Sequence, residues 1–445
     1  MSRLRFSTRV TLAWLLVAAS LVAAAVLLDV TARPPGGKTV VTVRLWDQQV
    51  AEAYRSSFAA FMKTHPDIDV QTDVVSYSTY FDTLRTDVAG GTADDIFWLS
   101  NAYLAGYADN GRLLDIGATL GSDVATTWES SVVGQFTRNG TLWAVPQLTD
   151  GGIAVYYNAD LLAAAGVDPA TLDTLRWSLG GDDTLRPLLA RLTVDVDGRS
   201  ASTPGFDPNR IPRWAYNAAN DPQGIYLDYI GSAGGVFQDG DRFAFDNAGA
   251  VEAFTYLVTL INHDHVAPPA SDTNENGDFS RNQFLAGRMA LFQSGTYNLA
   301  TIAGKATFRW GVAMLPAGPK GRVSVTNGIA AAGNSASPHP DAVRQVLAWM
   351  GSTGGNQYVG AQGSAIPAVT AAQNTFFDYW LRKGVNVKPF FDVLNGPHIA
   401  APGGAGFAAG NQAIKPYFDE MFLGRSDIAT TLRLAQDAAN AAARR

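Results

Sequence analysis

The sequence contains no cysteine. Disulfides and thiolate-bound metals therefore play no part in the fold, and no lipid can be attached through an N-terminal cysteine. Charge is sparse, at 16% of 445 residues with a net charge of −7 and no basic run, which excludes a nucleic-acid footprint. Three enzyme motifs are also missing: the G-x-S-x-G elbow, H-E-x-x-H, and the phosphate-cradling G-x-x-x-x-G-K. No cofactor is called for. One enzymatic alternative stays open, an exported glycoside-acting enzyme using acids such as Asp47 and Asp150, because the separation of two carboxyl groups is a structural quantity.

Hydrophobic residues make up 47% of the chain and there are 44 glycines, the profile of a globular protein rich in turns. This length implies two or more domains at roughly 100 to 200 residues each. From Val10 to Leu28 the run "VTLAWLLVAASLVAAAVLL" carries no charge and follows Arg3, Arg5 and Arg9, as an export signal does. Small residues at Ala23–Ala25 or 30–32 offer a cleavage site. Uncleaved, the run is long enough to anchor the protein to the outer face of the cytoplasmic membrane. Residues 1–37, ending in the linker "TARPPGG", are therefore read as a signal or anchor, and the remainder as exported to the periplasm or cell envelope.

Beyond residue 38 the pattern alternates. "TVVTVRL" reads as a strand, and Val50, Ala53, Tyr54, Ser57, Phe58, Phe61 and Met62 then recur at helical spacing. A second strand follows Pro66, a helix ends at Gly90–Gly91, and "DDIFWLS" is a third strand. This order predicts an α/β fold with a parallel sheet, in which ligands bind beyond the carboxyl ends of strands. Trp46, Asp47 and Gln48 follow one such end, and Trp98 and Asn101 lie at another.

Five segments, in order, resemble those of the extracellular solute-binding proteins of bacterial carbohydrate ABC importers, the family of maltose-binding and glycerophosphodiester-binding proteins. They are "FAAFMKTHPDIDV", "DDIFWLSNAYLAGYADNGRLLDI", "LWAVPQLTDGGIAVYYNADLLAAAGVD", "FLAGRMALFQSGTY" and "WGVAMLPAGP…NGIAAAGNSASPHPDAVRQVLAWM". Among relatives, the mycobacterial amino-sugar binders are similar in style of composition. The resemblance implies a two-lobed clam-shell fold with discontinuous lobes and a hinge: 38–150 plus 320–365 as lobe I, 151–319 plus 366–445 as lobe II. It also implies a monomer that holds a mono- or oligosaccharide, amino sugar or glycerophosphodiester between the lobes and delivers it to ABC permease subunits in the membrane.

Sugars present apolar faces and many hydroxyls, so a site needs aromatic platforms and planar polar groups. By position in the family's pattern, Trp98, Asn101 and Asp150 are expected to touch ligand, with core packing the other reading for Trp98 and a hinge hydrogen bond that for Asp150. Asn101-Ala102 stands where maltose-binding protein has a charged pair. Trp46, Asp47 and Gln48 are expected at the lip of the first lobe, although Asp47 would equally serve as a helix cap. In "FQSGTY", Tyr297 stands where many relatives place a tryptophan, flanked by Gln293 and Ser294. Tyr77, Gln223, the Asn327–Gly328 turn and His398 complete the candidates.

Three other signals point elsewhere and are set aside. The tyrosine pair Tyr156–Tyr157 lacks the converging carboxylates a ferric site needs, and His263 and His265 lack partners for zinc. The stretch from Asp272 resembles a calcium loop, but its twelfth position is Gln283 in place of glutamate.

Overall fold

The computed structural model describes residues 37–444; the expected export segment lies outside the described residues. The strands used below are β1 (Thr39–Leu45), β2 (Ile68–Val74), β3 (Ile96–Ser100), β4 (Val145–Thr149), β5 (Ala154–Asn158), β6 (Leu291–Ser294), β7 (Trp310–Met314), β8 (Ser324–Thr326), β9 (Gly328–Gly333), β10 (Ile366–Pro367) and β11 (His398–Ala400). The helices named are α1 (Gln48–Thr64), α2 (Tyr77–Gly90) and α3 (Asn101–Ala108).

Six strands form the first sheet in the order β10-β4-β9-β3-β1-β2. Strands β2, β1 and β3 are parallel, as the strand-helix alternation predicts, whereas β9 runs antiparallel to both β3 and β4. The sheet is therefore mixed, closed by a strand returning from more than 200 residues downstream, which no local pattern signals. Val41, Val43 and Leu45 of β1 are fully buried, each worth about 1.5–3 kcal/mol in transfer from water. Arg44, on the other face, is also buried and is held by Asp94 and Asp87, each at 2.6 Å.

The second sheet has the order β6-β5-β7, all antiparallel. It carries its own cores. Val155, Leu291 and Ala313 face a large cluster that includes Trp177, Tyr229, Phe254 and Phe418, and Tyr156, Phe292 and Val312 face another with Phe284 and Phe390. The two bodies are joined where β4 passes to β5, where β8 passes to β9, and near β10. Val325 of β8 packs in the second body and Ala330 of β9 in the first, so that crossing falls at Asn327. Val369 and Ala372 still belong to the first core, while Phe376 and Trp380 belong to the second body.

Because β4 lies parallel to β1 and β3, the carboxyl ends of all three open on one rim of the first sheet. Trp46, Asn101 and Asp150 stand along that rim. Asn327 joins them at the start of antiparallel β9.

Candidate functional site

Trp46, just past β1, is half-buried and is gripped edge-on by Tyr80 at 4.8 Å and Trp98 at 4.9 Å, with Tyr77 at 5.7 Å. Trp98 itself is 0% exposed. Its indole N–H donates to Tyr54 Oη (3.2 Å), which donates to Gln147 Oε1 (2.8 Å). In this structure Trp98 is thus the packed support under Trp46, in line with the core reading. Strand position alone could not say on which face of the sheet its ring would lie.

The neighbouring polar groups are also committed. Asp47 Oδ1 accepts from the N–H groups of Gln49 (2.8 Å) and Val50 (3.0 Å), capping α1, and Gln48 Nε2 donates to Glu52 on the exposed helix surface. Asp47→Ala is expected to lower stability by about 1 kcal/mol, the value of a typical cap, and to leave ligand affinity unchanged. Chemical denaturation and calorimetry together check this, and an affinity loss without a stability loss would restore Asp47 to the site.

Asn101 Nδ2 donates to the Ala401 carbonyl (2.9 Å). That contact pins a strap after β11, which the Gln238 side chain also holds by two hydrogen bonds to Gly403. Beyond the strap lies a groove of about 520 Å³ lined by Asn101, Arg138, Val236 and Asp241 among others; it includes none of the acidic cluster described next.

The residues that do converge come from both bodies. Asp150, in the β4–β5 crossing, donates its backbone N–H to the Asn327 carbonyl (2.9 Å), and its Oδ2 accepts from Gln223 Nε2 (2.9 Å). Gln223 sits in a single π-helical turn, Pro222–Tyr226, capped by Asp221, whose Oδ1 accepts from Gly224 N–H (2.9 Å). Burial pushes the Asp150 carboxyl up to about 7, with the Gln223 hydrogen bond opposing. Burial also raises Asp221. Tyr297 lies beside both: enclosure raises its hydroxyl, and the charges of Asp221 and Asp150 raise it further. Its ring folds back over Gly295, where a Cβ would come within 2.3 Å of it. Across the cleft, the Tyr77 hydroxyl is raised first by enclosure, then by Tyr103 and Asp221.

Among the described residues Tyr77 and Tyr297, at 64% and 44%, are the aromatic side chains that count as exposed large hydrophobics. Both stand at this cluster, one on each body. Two acids, a planar amide and two open aromatic faces meet at the junction.

Other expected contacts are not brought there. Gln293 is fully buried beneath the cleft; Ser294 is buried as well, and its side chain, which accepts from Asn298 Nδ2, reaches the cluster only as a hydrogen-bond partner of Tyr297. Gly328 packs against Val132, and its N–H is spent on Gln135 and on the Asn327 side chain. His398 lies exposed on β11, in register with Ser324, with no contact to the cluster. Asp221 was missed from sequence, although "NDPQG" is a turn signature that contains both it and Gln223. Among the described residues no group of three or more His, Asp or Glu is placed to hold a metal. His263 pairs with Asp264, and Asn274 Nδ2 donates to the Asp419 carbonyl.

A raised acid has a consequence for folding. Between about pH 4 and 7 the folded protein binds more protons at Asp150 than the unfolded chain does, so stability falls as pH rises through that window. Asp221 and Asp228, both raised by burial, act in the same direction. The ligand-free Tm is expected to drop from about pH 5 to about pH 8, and less steeply in Asp150→Asn; an unaltered slope in that variant would contradict the assignment.

Two α/β bodies joined by crossing strands, with a polar and aromatic cluster at the junction, define a two-lobed binding protein. The model of the bacterial extracellular solute-binding protein family matches residues 47–357, and the chain belongs to that family. The crystal structure of Mycobacterium tuberculosis UspC is 75% identical, with a TM-score of 0.75 over 91% of this chain and 100% of that one. The substrate-binding protein Lmo0181 of Listeria monocytogenes, solved with cycloalternan, shares the fold at 20% identity with a TM-score of 0.77, over 91% of this chain and 98% of its own. A probable ABC transporter-binding protein of Deinococcus radiodurans is 27% identical over 298 residues, 64% of this chain and 63% of that protein's length. The family whose model matches is one of solute-binding proteins.

Proposed function

We propose that this protein is the extracytoplasmic substrate-binding component of an ABC importer, and that it encloses a carbohydrate bearing an amino group between its lobes for delivery to membrane permease subunits. The observation that carries the reading is the meeting of Asp150, Asp221 and Gln223 with the open faces of Tyr77 and Tyr297. The aromatic rings suit the apolar faces of a sugar ring. Two carboxyl groups that are costly to ionise when alone suit an ammonium group, which would stabilise both as carboxylates. Structural neighbours described with carbohydrate ligands, Lmo0181 among them, support the substrate class. The basic, apolar N-terminal run supports export, with the protein remaining membrane-associated if that run is uncleaved.

The lobe division expected from sequence stays part of this proposal, with two crossings redrawn: one at Asn327 and the last beyond Ala372. Closure is a hinge motion that the ligand drives by preferring the closed state, and the protein acts as a monomer. Trp46 keeps a role as the supported aromatic behind Tyr77.

The test is a thermal-shift panel of neutral sugars, amino sugars and glycerophosphodiesters on the purified protein. A true ligand at 100 times its dissociation constant adds about 2.7 kcal/mol. A selective rise with amino sugars is expected. A rise confined to glycerophosphodiesters, or none, would contradict the proposal.

A further inference from the structure

Beneath the cleft the second body buries an acid that reaches no ligand position. Asp228 is 1% exposed. Its Oδ1 accepts from Val325 N–H in β8 (2.7 Å), and its Oδ2 lies 3.4 Å from Gln293 Nε2. The same amide nitrogen donates to the Gly224 carbonyl in the π turn (2.8 Å), and Gln293 Oε1 accepts from the Tyr216 hydroxyl. The Asn217 side chain bonds both the N–H and the carbonyl of Gln293, at 2.7 and 2.8 Å.

Three elements therefore meet at one buried pair. The π turn carries Asp221 and Gln223. Strand β6 runs on into Gly295 and Tyr297. Strand β8 runs on into Asn327, whose carbonyl holds the backbone of Asp150. A buried acid is expensive, and an apolar group of similar volume is often no less stabilising, so stability does not explain its presence. Single π turns are rare and frequent at functional sites, and one that must aim two ligand groups needs an external brace.

We propose that Asp228, acting through Gln293, is a positioning residue that ties the π turn to crossing strand β8, so that Asp221 and Gln223 already face Asp150 before ligand arrives. Preorganisation of this kind lowers the ordering cost at binding. The consequence for ligand rests on the function proposed above; the brace itself does not.

Hydrogen exchange on the ligand-free protein therefore comes first, comparing the unaltered chain with Asp228→Asn and Tyr216→Phe. Asparagine keeps the acceptor for Val325 but turns an amino group toward Gln293 Nε2, donor against donor. The amides of Gly224 and Tyr226 are expected to exchange about tenfold faster in Asp228→Asn and about threefold faster in Tyr216→Phe, with β1 and α1 unchanged. Tyr216→Phe decides the matter alone if the first variant does not fold. No change, or uniform acceleration across the second body, overturns the proposal.

Calorimetry with glucosamine then reads the coupling. Asp228→Asn should weaken binding about tenfold in the native background and less than about twofold in the double variant Asp221→Asn with Gln223→Ala, because it acts through those two residues. Equal losses in both backgrounds would overturn the positioning role. If the unaltered protein takes up no glucosamine, the amino-sugar reading fails, and the exchange result still decides the brace.

Discussion

Asp150→Asn is expected to raise the dissociation constant for glucosamine at least about 30-fold while changing that for glucose less than about threefold, since losing one partner of a desolvated charge pair costs about 2–5 kcal/mol. Asparagine keeps the size of the side chain and an oxygen that can still accept from Gln223 Nε2, so shape is preserved and only the ionisable group is removed. The same carboxyl predicts a pH dependence. Burial holds it up to about 7 without ligand, and a cation selects its ionised form, so binding is accompanied by proton release near neutral pH. Affinity should rise as pH increases from about 6 to about 7, by at most about tenfold per unit, and fall again above about pH 8 as the ligand's own amino group loses its proton. Isothermal titration in buffers of differing ionisation enthalpy checks both the slope and the released proton. An unaltered glucosamine affinity in Asp150→Asn would remove Asp150 from the site.

The second large effect belongs to Trp98, and it falls on stability. Trp98 is fully enclosed and makes edge-on contacts with Trp46 (4.9 Å) and Tyr54 (5.9 Å). Trp98→Ala should destabilise the protein by about 3–5 kcal/mol, the range for large aromatic truncations in a core, and should strand the buried Tyr54 hydroxyl with one partner fewer. Tyr297→Ala should do the reverse: its ring is half-open on the cleft, so Tm should hardly move while sugar affinity falls. Urea denaturation of the two variants beside calorimetry separates them. A Trp98→Ala protein of native stability that no longer bound sugar would put the indole back among the ligand contacts.

The contrast between these two aromatics shows how far the sequence could be read. Strand ends were legible: alternation in "TVVTVRL" and the compact apolar run in "DDIFWLS" located β1 and β3, and the rule that ligands lie beyond carboxyl ends led to the right rim. The direction of a side chain at that rim was not legible. Trp98 points into the layer between sheet and α1, where its ring meets Tyr54, a tertiary fact that no local spacing encodes. Gln293 looked like a flank of Tyr297 but lies on the inner side of β6, where period two places alternate residues on opposite faces. Asp47 was ambiguous from the start, and capping geometry decided it. Asp221 was overlooked because a lone acid before proline reads as a turn, and its value comes only from standing opposite Asp150, 71 positions earlier in the sequence numbering. The return of β9 between β3 and β4 was outside local reach for the same reason.

The most direct test of the account is calorimetric titration of the purified protein at neutral pH with glucosamine, glucose and N-acetylglucosamine. The three share a ring, and only the first carries a positive charge. Binding of glucosamine at least about tenfold tighter than either of the others is the predicted result, a difference of at least about 1.4 kcal/mol assigned to Asp150 and Asp221. Equal binding of all three, or tightest binding of a neutral sugar, would contradict the claim that this cleft reads an amino group.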